Sequence, residues 1–127
     1  MAIKFNVIEK GKPGIVGGGE KKFYANAITT GELTLDDLIK GVEKSSTVSG
    51  ADISAVIYAM VDFMEASLAD GKIVRLGKLG SLRVSISSNG EESAEKVTSR
   101  SIKGAKALFT PGKDLKFTLN NLTYQKN

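Results

Sequence analysis

The chain has 127 residues, 41% of them hydrophobic and 25% charged, which fits one domain of ordinary globular composition. It contains no histidine and no cysteine. The commonest general base, the thiol nucleophile and the soft metal ligands are therefore missing, and no enzyme, metal site or cofactor is expected.

The net charge of +4 is unevenly spread. Residues 1–70 carry seven Lys/Arg and ten Asp/Glu, whereas residues 71–127 carry eleven and four. A basic second half and a pI of about 9.3 point to a polyanionic partner. The first ten residues include Lys4, Glu9 and Lys10 and lack the apolar stretch of a secretory signal. The longest apolar run, Ala55 to Val61, is too short to span a bilayer. The expectation is a soluble cytoplasmic protein with no membrane partner and no small-molecule substrate.

Ile3, Phe5 and Val7 alternate with Lys4 and Asn6, the pattern of a strand with one buried face. The following "EKGKPGIVGGGEKK" has no periodicity and no Gly-Lys-Ser/Thr ending, so it predicts a flexible connection rather than a phosphate loop. "KKFYANAI" predicts a second strand, and Thr29 to Glu32 a turn.

Thr34 is placed to cap a helix with Asp36 and Asp37 in its first turn, where the helix dipole favours negative charge. Ser49 is placed to cap a second helix running to about Ala69. On that helix Ile53, Val56, Ile57, Met60, Val61, Phe63, Met64 and Leu68 fall within roughly 160° of arc at about 100° per residue. So broad an apolar face exceeds what one short neighbouring helix covers, and a two-fold partner would bury the remainder.

Asp70-Gly71 ends the helix. "GKIVRLGKLGSLRVSI" then alternates apolar and polar residues around Gly77 and Gly80, which predicts a hairpin whose turn needs positive φ. Ser87 to Ser101 is polar and predicts a mobile arm; a third strand returns through Val97 to Phe109. Thr110-Pro111 has the form of a helix start, with Pro111 at the first helical position. Leu115, Leu119 and Leu122 give that helix an apolar side, and "LTYQKN" is a possible terminal strand.

From Leu33 to about Asn121 this order of elements resembles the bacterial histone-like HU/IHF family of dimeric DNA-binding proteins. The matching residues are Gly71-Lys72 before Val74-Arg75-Leu76, then Leu79-Gly80-Ser81-Leu82, then Phe109-Thr110-Pro111-Gly112-Lys113-Asp114-Leu115. They look like the family's "GxxVxLxxFGxF" hairpin and its "FxPGKxL" helix start, and the extra N-terminal strands look like a longer-chain branch of HU-related proteins. The resemblance implies an α+β, HU/IHF-like fold: a helix–turn–helix dimer body, an antiparallel three-stranded sheet with an arm, and a C-terminal helix. It is expected as one domain over residues 1–127, with residues 1–32 as an extension and 33–121 as the core.

The resemblance further implies a homodimer that binds double-stranded DNA non-specifically at the nucleoid. Its phosphate contacts would come from Arg75, Lys78, Arg83, Lys96, Arg100, Lys103, Lys106, Gly112, Lys113 and Lys116. The dimer interface would use Ile53, Val56, Ile57, Met60, Phe63, Met64 and Leu68. The arm departs from the family pattern. It has no intercalating proline, carries Glu91, Glu92 and Glu95, and has Ser85 and Ser87 where the family tends to place arginines. A second reading follows from that departure: an HU-fold structural or protein-interaction module that has lost DNA binding.

Overall fold

A computed structural model of the chain describes residues 1–11, 14, 16, 17 and 19–127. Lys12, Pro13, Ile15 and Gly18 of the expected N-terminal connection lie outside the described residues. The chain divides into two compact units, Met1–Leu38 with Thr118–Asn127, and Ile39–Phe117.

In the first unit, β1 (Ile3–Lys10) pairs antiparallel with β2 (Lys22–Ile28), from Lys4 opposite Ile28 to Lys10 opposite Lys22. The alternation seen in the sequence holds across the pair, but the face expected to be buried is not: Ile3, Val7 and Phe23 are exposed. On the other side of β1, β6 (Tyr124–Lys126) runs parallel, giving the strand order β2-β1-β6. Asn127 N–H donates to the Phe5 carbonyl and Ile3 N–H to the Thr123 carbonyl, so both ends of β6 are held.

The helix α1 (Leu35–Ser45) begins as expected. The Asp37 N–H donates to Thr34 Oγ1 at 3.2 Å, and Thr34 N–H returns a bond to Asp37 Oδ2 at 3.2 Å. This reciprocal arrangement satisfies donors that every helix start leaves free. Ser49 caps α2 (Gly50–Ala69) by accepting from Asp52 N–H. The helix ends with Gly71 at φ +79°, Gly71 N–H on the Leu68 carbonyl and Lys72 N–H on the Ser67 carbonyl. That pair of bonds is a Schellman motif, and glycine reaches the left-handed conformation without steric cost.

The second sheet has the order β3-β4-β5: β3 (Val74–Arg75), β4 (Gly80–Ser88) and β5 (Ile102–Pro111). Gly77 and Gly80 bound a single 3₁₀ turn, Gly77–Leu79, between β3 and β4, both at positive φ. Their surroundings explain the second glycine. A Cβ on Gly80 would collide with the Thr110 carbonyl, and one on Gly112 with the Lys78 carbonyl. The two segments meet backbone to backbone, joined by Gly112 N–H donating to the Leu79 carbonyl at 3.0 Å.

Three boundaries differ from the sequence expectation; one is the end of the C-terminal helix, which stops at Asn120, short of Leu122. The returning strand starts at Ile102 rather than Val97, because residues 94–96 and 99–101 each form a 3₁₀ turn. Pro111 is the last residue of β5 instead of the first of the helix; α3 starts at Lys113 and runs to Asn120. The close approach of Gly112 to the 3₁₀ turn holds Pro111 extended against Gly80, which delays the helix by two residues.

The expected mobile arm is instead a closed loop. Ser101 is 3% exposed. Its hydroxyl donates to Glu91 Oε1 at 3.1 Å and accepts from Thr98 N–H at 3.1 Å, while its carbonyl accepts from Asn89 N–H at 2.7 Å. Glu91 is thus an internal acceptor that closes the loop, and Glu92 pairs with Lys96 at 3.1 Å.

Two substitutions test this packing. Gly80→Ala should lower stability by about 2 kcal/mol or more, because the new Cβ meets backbone that cannot swing aside. Urea unfolding at one fixed protein concentration would register it, and an unchanged midpoint would show that the contact is loose. Ser101→Ala should cost about 1–2 kcal/mol through the hydrogen bonds it removes. Amide hydrogen exchange should then quicken at Thr98 and Asn89 while the central residues of α2 stay protected.

Candidate nucleic-acid interface

The strand pairing sorts the second sheet into two unlike faces. Arg75 lies opposite Ser81, Arg83 opposite Leu108, Ser85 opposite Lys106 and Ser87 opposite Gly104. Residues that face each other across a pair share a side of the sheet, so Arg75, Arg83 and Lys106 stand on one polar face with Ser81, Ser85 and Ser87. The other face carries Val74, Leu82, Val84, Ile86, Ala105, Ala107 and Phe109.

Arg75 and Arg83 are diagonal neighbours across β3 and β4, as are Arg83 and Lys106 across β4 and β5. Diagonal positions lie about 7–8 Å apart. Three exposed cations at that spacing repel one another, and none of them has an ion-pair partner among the described residues. An anionic ligand lying along the face relieves that repulsion. Arg75 also borders a shallow groove of about 290 Å³ with Gly80, Ser81 and Gly112, where the two glycine segments meet.

The remaining expected contacts are placed less uniformly. Lys78 is paired with Asp114 at 3.2 Å and Lys96 with Glu92, so part of their charge is already balanced. Both pairs are well exposed, and such pairs add little stability. Arg100 sits in the 3₁₀ turn before β5. Lys103 is the extra residue where the register shifts between Ser87 and Ser88, a bulge that turns its side chain out of the regular alternation. Lys113 and Lys116 are exposed on α3. Gly112 is half-buried, and its N–H is already committed to Leu79. Its place in the structure is that of a packing residue.

The apolar helix face divides similarly. Ile53 is 9% exposed and, with Ile39 at 8%, forms the buried apolar core of the described residues; it belongs to the chain's own interior. Val56, Met60, Val61 and Phe63 are exposed, Phe63 by 78%, while Ile57, Met64 and Leu68 are half-buried. The apolar sheet face is also bare at Val84, Ile86 and Phe109. No helix among the described residues is long and apolar enough to cross a membrane.

Sequence reasoning missed Ser101, although Thr98 followed three residues later by Ser101 carries a weak capping signal. It also missed the bulge at Lys103, for which the local sequence has no signal.

Among solved structures, the chain is similar to a protein of Bacteroides vulgatus ATCC 8482 whose description proposes that it is a bacterial DNA-binding protein. The identity is 13% and the TM-score 0.63, over 98% of this chain and 48% of that one. The chain therefore spans about half the length of that protein, and at this identity the likeness concerns the fold alone. No curated protein matches the sequence. Residues 1–126 match the family described as an HU domain fused to a wHTH, Ig or glycine-rich motif, and with its HU-like order of helices, hairpin and sheet the chain belongs to that family.

Proposed function

We propose that this protein is a homodimeric, non-enzymatic binder of double-stranded DNA, of nucleoid-associated type, acting in the cytoplasm through phosphate contacts that are largely independent of sequence. The observation that carries this reading is the unpaired cation row Arg75, Arg83 and Lys106 on one face of the second sheet. Arg100, Lys103, Lys113 and Lys116 extend the contacts, with Lys78 and Lys96 contributing once their carboxylate partners yield to phosphate. Gly112 supports the site by holding the turn that carries Lys78. Residues 33–121 act as the HU-like core and residues 1–32 as its extension. Membership of an HU family and the described role of the Bacteroides protein favour the same reading.

Dimerisation is argued from surface. The chain exposes 10582 Å². A single globule of its mass would expose about 6,500 Å², and two separate globules the size of its units about 7,800 Å². The excess is about 2,800 Å² or more per protomer, or about 5,600 Å² for a pair, the size of a large obligate dimer interface. Val56, Ile57, Met60, Phe63, Met64 and Leu68 would supply the interface, joined by Val84, Ile86 and Phe109 of the apolar sheet face.

A protein-interaction module without DNA binding is the second reading. Glu92 and Glu95, exposed on the loop after β4, favour it because they would repel phosphate.

Light scattering coupled to size exclusion at micromolar protein should give twice the chain mass, and Met60→Asp should unfold the protein rather than release folded monomers. A stable folded monomer would overturn the dimer. For DNA, neutralising about six phosphates at the Arg75, Arg83 and Lys106 surface alone should weaken binding by at least about three orders of magnitude between 50 and 200 mM salt. Gel-shift titrations on unrelated duplexes should give equal affinities, since phosphate contacts carry no base information. Undetectable binding at low salt would promote the interaction module.

A further inference from the structure

We infer that the first sheet, β2-β1-β6, is a second DNA-phosphate surface, built on the face that carries Lys4, Lys10 and Lys22. The inference rests on the DNA-binding reading above and extends it to strands outside the HU-like core.

Averaging over the first half of the chain hides this surface. Residues 1–28 carry five lysines and two glutamates, whereas residues 29–70 carry two lysines and eight acids. The N-terminal strands are basic in their own right, and the acidic charge belongs to the segment containing α1 and α2.

The pairing register then concentrates the basic residues on one side. Across one face run Gln125, Lys4 and Ile28, then Asn6 with Asn26, Ile8 with Tyr24, and Lys10 with Lys22. That face holds three ammonium groups, three side-chain amides and a phenol, and no carboxylate. Ile3, Phe5, Val7, Phe23, Ala25, Ala27 and Tyr124 occupy the opposite face, together with Glu9 and a single lysine, Lys126.

Lys10 and Lys22 form a directly opposed cross-strand pair, an arrangement that destabilises a sheet when the charges are alike. Both are exposed, and neither has an ion pair among the described residues; Glu20, two residues before Lys22, makes none with either. The fold gains nothing from this pair in the absence of an anion. Lys4 lies six residues from Lys10 along β1, about 20 Å away, which corresponds to about six base pairs of duplex.

The chemistry favours a nucleic acid over a membrane. A lipid surface would reward large exposed apolar side chains beside the lysines. Here Phe23, Ile3, Val7 and Tyr124 are exposed on the side that has Lys126 alone, and the three-lysine face has only the exposed Tyr24 with the half-buried Ile8 and Ile28. Asn6, Asn26, Tyr24 and Gln125 instead supply neutral donors suited to phosphate oxygens.

The test uses the full chain and a duplex of mixed sequence about 40 base pairs long. Affinity is measured from 50 to 250 mM salt for the unaltered protein, for Lys4→Gln/Lys10→Gln/Lys22→Gln, and for the same three positions changed to Arg. Each phosphate contact contributes about 0.9 to the salt slope, so losing three from each protomer of a dimer flattens it by about 5. A flattening of about 2 or more, restored by the Arg variant, supports the inference. Circular dichroism and scattering mass serve as checks that the Gln variant stays folded and assembled.

An unchanged slope in the Gln variant, while Arg75→Gln/Arg83→Gln/Lys106→Gln abolishes binding, overturns the inference and leaves the core DNA surface standing. Absence of DNA binding by the unaltered protein overturns both. Binding to vesicles containing anionic phosphatidylglycerol that the Gln variant loses, with the DNA slope unchanged, overturns the inference in favour of a membrane surface.

Discussion

The second unit is organised around a place where no side chain fits. Gly80 and Gly112 let the turn between β3 and β4 meet the end of β5 backbone to backbone, and Gly112 N–H closes the contact on the Leu79 carbonyl. That approach aligns β4 and β5 from Gly80 opposite Pro111 onward and sets where α3 can begin. A register slip by one residue would exchange the faces of a strand. The contact therefore also decides that Arg83 and Lys106 stand on one side while Val84, Ala107 and Phe109 stand on the other.

Both sheets are amphipathic in the same sense, with cations and hydrogen-bonding groups on one face and apolar side chains on the other. Here Phe23, Phe63, Val84, Ile86 and Phe109 all remain exposed, and only Ile39 and Ile53 are buried apolar residues among those described. Such a surface is costly in water, at roughly 25 cal/mol per Å² of apolar area. The same lack of an internal core that argues for a second protomer leaves the polar faces free to meet a ligand. On the proposed function, assembly and binding would draw on opposite sides of the same strands.

Much of the architecture was legible from local signals. Thr34 and Ser49 announced their helices because a cap is a contact between residues three apart. Gly71 marked the end of α2 because a left-handed residue excludes most side chains. Strand alternation named which residues share a face, but not that the face of Ile3 and Val7 stands exposed instead of buried. Less was legible in the loop after β4, where polarity and Asn89-Gly90 suggested mobility. Ser101 instead gathers Glu91, Thr98 and Asn89 around itself, and bonds that reach back ten or more residues leave no periodic trace. Pro111 misled for a similar reason: its dihedral suits both a first helical turn and an extended strand, and the neighbouring Gly80 selects the strand.

What the sequence determined by itself was the set of elements, the HU-like order in which they occur, and the absence of histidine and cysteine chemistry, since each depends on residue identity or short spacing. Only the tertiary structure decided which cations stand together. Arg75, Arg83 and Lys106 are distant in sequence and become neighbours through strand pairing, and the same pairing sets Lys10 against Lys22. It also separated cations already held by carboxylates, Lys78 and Lys96, from those without ion pairs. Electrostatic interaction depends on distance in space, and pairing register is what converts a run of scattered lysines and arginines into a surface.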